Sequence, residues 1–191
     1  NQGEIQAARG LTDSLALQVN LGFVNPKAED NGNNGSGTLL EVGLGYYRNL
    51  TPSLLFDVYG LHGAGSVDNH FPSSLAASPG TTGKISAEMS RFGVQPSLTL
   101  HGGGFSVSGS IRLSALHYRK IEGSLIFAGE NQVDYLNRHK SQTLFEPALT
   151  FRAGGGKVGL QIQLVRSVNL TDSDFRQDDG VATVGINIRF R

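Results

Sequence analysis

With 191 residues, 16 basic and 16 acidic, the chain has the size of one ordinary domain and no polybasic surface for nucleic acid. It contains no Cys, which excludes a disulfide framework and thiolate metal sites, and no run of about 18 apolar residues, which excludes a transmembrane helix. Charged residues are 17%, below the roughly 25% of soluble proteins, and Gly is 26 of 191, about twice its usual share.

The first strand is expected over Gly3–Ala8, followed by a turn at Leu11-Thr12-Asp13. Ser14–Asn25 alternates Leu15, Leu17, Val19, Leu21 and Phe23 with Ala16, Gln18, Asn20 and Gly22. Such period-2 alternation marks a strand, whose side chains point to opposite faces in turn. Residues 26–37 form a long polar loop. The stretch Thr38–Gly65 reads as a hairpin that breaks at Pro52, which presets a turn and cannot donate to a ladder. Leu40, Val42, Leu44 and Tyr46 share one face of its first arm, and Leu54, Phe56 and Val58 one face of its second.

A second long loop spans 67–83. Lys84–His101 is a strand of imperfect parity, since Ile85, Ala87 and Met89 oppose Phe92, Val94, Leu98 and Leu100. A bulge near Ser90–Arg91 is expected to reconcile them. After a triglycine turn at 102–104, Phe105–Lys120 alternates again, and residues 121–140 form a long loop. Ser141–Ala153, Lys157–Leu170 and Val181–Arg191 complete the series, joined by the 154–156 triglycine and by an acidic loop over 171–180. The turn Arg9–Leu15 echoes Arg48–Leu54.

About nine strands with short turns and long loops in alternation predict an all-β chain. The expected architecture is an up-and-down antiparallel β-barrel of about 8–10 strands, one domain over residues 1–191. An apolar face suits the interior of a soluble barrel or the exterior of a membrane barrel. Three features favour the membrane. The polar face is small and sparingly charged, and its charges are of both signs. Glu41, Asp57, Glu88 and Glu146 stand against Arg112, Arg152 and Arg189, a set that can pair across a narrow lumen. Aromatics gather at strand ends. Tyr46, Tyr47, Phe56, Phe105, Phe151 and Phe190 form one girdle at the short-turn end, and Phe23, Tyr118 and Phe145 lie nearer the other. Arg91 counts against this reading if it faces outward.

With the strands laid out, the chain resembles small outer-membrane β-barrels, in particular a Bacteroidota-type group containing many lipoproteins. The residues that carry the resemblance are Gln2-Gly3-Glu4, Glu41 to Tyr47, Phe56 to Gly60 with Gly63 and Gly65, and Val184 to Phe190. The resemblance implies an outer-membrane location and outer-membrane lipid as partner, with a larger envelope complex as a further partner. Residue 1 is Asn, so a removed or unresolved segment, a further strand or a lipidated Cys, is expected upstream. Phe190 is penultimate where such barrels often end on an aromatic.

No enzyme motif stands out. The histidines 62, 70, 101, 117 and 139 lack metal-ligand spacing, no G-x-S-x-G occurs, and the triglycines lack the Lys-Ser/Thr of a phosphate loop. Asp172, Asp174, Asp178 and Asp179 do not match a calcium-loop template. The leading expectation is therefore a non-enzymatic envelope subunit, structural or accessory, with no cofactor and no metal, whose long loops carry recognition. One alternative is a soluble lipocalin-like barrel binding an apolar ligand, with Leu17, Val42, Val107 and Ile162 lining its interior. A second is a lipid-modifying outer-membrane enzyme. Barrel enzymes that trim lipid A place Ser and His together on the outward face near a rim, which His117 with Ser114 or Ser141 can imitate, although Ser114 has the opposite parity.

Overall fold

The computed structural model describes residues 2–24, 33–72, 80–127, 129–154, 158–175 and 177–188. The strands are β1 (Gln2–Gly10), β2 (Leu15–Val24), β3 (Asn34–Thr51), β4 (Leu54–Phe71), β5 (Gly83–Gly102) and β6 (Phe105–Gly123). They are followed by the two-residue β7 (Ile126–Phe127) and β8 (Glu130–Asn131), helix α1 (Gln132–Arg138), β9 (Ser141–Ala153), β10 (Val158–Arg166), the short β11 (Val168–Asn169) and β12 (Gly180–Ile188). The main sheet runs β1-β2-β3-β4-β5-β6-β9-β10-β12, every neighbour antiparallel, with β11 pairing β9. It is the curled, up-and-down wall of an outer-membrane-type barrel, with nine strands. Short connections join β1–β2, β3–β4, β5–β6 and β9–β10 at one end, and the longer connections lie at the other.

Burial runs opposite to that of a protein folded in water. Leu17, Leu40, Val42, Leu44, Phe92, Val94, Leu98, Leu100, Leu113, Leu160 and Ile162 are exposed, whereas Asn20, Glu41, Ser106, Ser108, Ser114 and Thr150 are buried. Leaving so many large apolar side chains in water forgoes about 1.5–3 kcal/mol each, whereas in lipid the same face is solvated. The expectation of a soluble lipocalin-like interior is therefore overturned: Leu17, Val42 and Ile162 face out. Along β5 the outward band from Phe92 to Leu100 covers about 27 Å of strand, which a tilted strand reduces to the ~25 Å apolar height of such barrels.

At the long-loop end, β4, β5 and β6 rise beyond this band and their inward face turns apolar. Ile85, Ala87 and Leu116 are buried there beneath Leu125, Tyr135 and Phe175 from the connections, while Leu61 and Leu144 are buried one inward row below Leu116, beside Gly93 and Ser114. The β7–β8 hairpin and α1 form this cap, with Phe175 stacked on Tyr135 at 6.0 Å and tilted against Tyr118 at 6.3 Å. The expected bulge at Ser90–Arg91 is corrected: the ladder is regular there, and Ile85, Ala87 and Met89 point inward because the interior itself changes from polar to apolar. The register shifts instead between Ser86 and Glu88, opposite Lys120, whose φ is 49°.

Helix α1 lies within residues 121–140, which the sequence predicts as a loop. Its cap was legible: the Asn131 side chain accepts from the backbone N–H groups of Val133 (2.9 Å) and Asp134 (3.4 Å).

Candidate functional site

The inward charges meet in one layer under the cap. Arg91 bonds Glu146, lies 3.8 Å from Glu41 through Nε, and donates to Ser114 Oγ at 3.1 and 3.0 Å. Arg112 donates to Glu41 at 3.1 Å and to Gln95 at 2.7 Å. Two arginines and two carboxylates thus compensate one another where neither sign alone is tolerable. Below them lies a cavity of about 1990 Å³, lined among others by Asp57, Ser97, Thr99, Ser108, Thr150, Arg152 and Gln163. Here Ser97 donates to Asp57 at 2.5 Å and Arg152 to Gln161 at 2.7 Å. Both β1 and β12 contribute to the cavity wall.

Of the residues expected in the lumen, Glu41, Asp57, Arg112, Glu146 and Arg152 lie inside. Glu88 does not join them. It has outward parity beyond the apolar band and pairs with Lys120 at 2.6 Å and Arg119 at 3.5 Å, because its strand has passed the membrane rim. Arg189 lies outside the described residues. Arg91, feared outward by its sequence context, is the hub of the inward layer.

Among the girdle aromatics, Tyr46, Phe105 and Phe151 are exposed on the outer face near the short turns, and Phe56 shares their parity. Tyr47 does not: it pairs opposite the inward Asp57, and its hydroxyl donates to the Thr12 carbonyl at 2.7 Å, holding the β1–β2 turn. Phe190 lies outside the described residues.

The arrangement with chemical capacity is at the outer rim. Strands β4, β5, β6 and β9 bring Ala64, Ser90, His117 and Ser141 into one row of the ladder, all on the outward face. The His117 ring Nδ1 lies 2.8 Å from Ser141 Oγ. Both side chains are exposed, directly above the outward Ala115 and Leu113. Ser114 lies on the opposite face and is committed to Arg91 and Glu146. A hydroxyl hydrogen-bonded to an imidazole is the minimal pairing of nucleophile and base.

The remaining histidines lie elsewhere. His62 points outward among apolar residues, and His70 and His101 are exposed near opposite ends of their strands. His139 bonds Asp172 through Nδ1 at 2.7 Å and packs on Tyr135 at a ring distance of 4.6 Å, fastening the 171–175 segment to the end of α1. Among the described residues no three His, Asp, Glu or Cys side chains converge as a metal site.

No family model matches the sequence, and no curated protein matches it. Among solved structures, the fold is similar to LpxR from Salmonella typhimurium, at 13% identity and a TM-score of 0.38, over 99% of this chain and 88% of that one. The expectation of a non-enzymatic envelope subunit is corrected here, since the outward face carries a hydroxyl in contact with an imidazole. The likeness transfers no residue or activity to this chain.

Proposed function

We propose that the chain is an outer-membrane hydrolase that cleaves an acyl ester of a membrane lipid, with Ser141 as nucleophile and His117 as general base. The observation that carries this reading is the 2.8 Å contact between His117 Nδ1 and Ser141 Oγ on the outward face, at the upper edge of the lipid-facing band. At that height the ester linkages of outer-leaflet lipids lie beside the barrel wall. His117 takes the hydroxyl proton as Ser141 attacks the ester carbonyl. The alcohol leaves with the proton returned by His117, and water, deprotonated in turn by His117, releases the fatty acid from the acyl-serine.

The partner of this protein is then the outer-membrane lipid itself. The position of the pair supports this substrate class over a soluble one: His117 and Ser141 open sideways toward the bilayer rather than into the capped lumen. The test is release of fatty acid from outer-membrane lipid in proteoliposomes. The unmodified chain is expected to release it, and His117→Ala and Ser141→Ala each to lower the rate by at least about 100-fold. Equal rates in all three would dismiss the reading.

A further inference from the structure

His62 on β4 breaks the pattern of the lipid-facing wall. Its ring points outward between Gly60 and Ala64 of its own strand, with Leu40, Val42 and Leu44 on one side and Phe92 on the other. It is exposed, and among the described residues no group forms a hydrogen bond or ion pair with it. Its depth follows from counting upward from the short-turn end. His62 stands eight residues above Leu54, the foot of β4, and His117 twelve above Phe105, the foot of β6. Four residues of a strand tilted by roughly 40° rise about 10 Å, so His62 sits about that far below His117 at the rim. At that height the neighbouring strands present Val94 and Leu113. Arg166 on β10 stands at a similar height, but its stem is long enough to carry the charge to the rim, as an imidazole's is not.

A polar side chain facing hydrocarbon is costly unless something pairs with it. A neutral imidazole carries one N–H donor and one bare acceptor nitrogen, so two of them are complementary. All copies of a barrel insert with their long connections on the same side. Two copies related by a twofold axis along the bilayer normal therefore meet residue for residue at one depth. A second copy brings a second His62 against the first, which a lipid chain cannot match. The same rotation sets Phe92 of one copy against Leu40 and Val42 of the other. Two β4 strands, each tilted by roughly 40°, cross there at about 80°, so contact centres on one point per strand. Gly60 and Ala64 on either side of His62 leave room for the crossing strand.

We infer that His62 is the centre of a homodimer interface within the membrane, its ring hydrogen-bonded to His62 of a second copy across the twofold axis. Such a dimer forms whether or not His117 and Ser141 react with lipid.

The test exploits the absence of cysteine, which lets single thiols be introduced without background. Chains carrying one fluorophore at Ser53→Cys, at the short-turn end, are folded into phosphatidylcholine vesicles, and subunits are counted by photobleaching over a range of protein densities. The expected unit is two, and His62→Leu is expected to move the association midpoint to about tenfold higher density. Separately, His62→Cys is expected to form a disulfide-linked dimer on oxidation about tenfold faster than Leu113→Cys, which presents its thiol at the same depth two strands away. A heat-dependent gel shift confirms that each variant is folded. Single subunits at every density, an unchanged midpoint in His62→Leu, or equal crosslinking at the two positions would overturn the interface.

Discussion

Arg91 on β5 reaches Glu41 on β3 across the intervening strand, and it does so over Gly63, which pairs with both. A Cβ at Gly63 would stand 2.7 Å from Glu41 Cγ and 3.0 Å from the Leu40 carbonyl. The glycine is therefore a spacer that lets two inward charges meet over its backbone. Gly63→Val is expected to lower unfolding stability in detergent by about 2 kcal/mol, through overpacking, while leaving the outward face unchanged. Denaturant titration of the two proteins measures it.

Arg91 also bonds Glu146, so its removal leaves Glu146 without its cation, while Glu41 retains Arg112. Arg91→Met is expected to cost about 3–5 kcal/mol, and Arg91→Met/Glu146→Met markedly less than that, because the uncompensated buried charge is what destabilises. A double-mutant cycle by denaturant titration checks the sign of the coupling.

The sheet was readable because each strand keeps one face apolar and the other small and polar, so period-2 alternation recovers both parity and strand order. Parity failed at Ile85, Ala87 and Met89 for a physical reason. Above the rim the interior is apolar as well, and a local pattern cannot distinguish a change of environment from a bulge. The same confusion misassigned Glu88 and left Arg91 in doubt. The Ser–His pair was only half legible. That Ser114 opposes His117 follows from counting along one strand, but its partner Ser141 depends on the register of β6 against β9, and the connection between them carries a hairpin and a helix. Register across such a connection is set by tertiary packing and not by spacing.

The helix in that connection depends on one side chain. Asn131 accepts from Val133 and Asp134 at the start of a seven-residue helix, too short to persist without its cap. Asn131→Ala is expected to cost about 1 kcal/mol locally, seen as faster amide hydrogen exchange over residues 132–138 with little change in the barrel strands.

Glu88 provides a pH-dependent marker beyond the apolar band. Its carboxyl is held below the ordinary range, first by the hydrogen bond from Lys120, with the charges of Lys120 and Arg119 adding and desolvation opposing. A depressed folded-state value means that its stabilising contribution is present above the unfolded carboxylate value and is lost only as pH falls through the lower folded one. Carboxyl NMR titration is expected to place the Glu88 midpoint below that of a free glutamate, and Lys120→Gly to raise it. Gly at 120 also suits the φ of 49° there.

The most direct test of the account is reaction with a fluorophosphonate, which labels only an activated serine hydroxyl. The folded chain in detergent is incubated with the probe, and the adduct is located by peptide mass spectrometry. One adduct is expected on Ser141, lost in His117→Ala. Absence of labelling at Ser141, or labelling that is unchanged without His117, would contradict it.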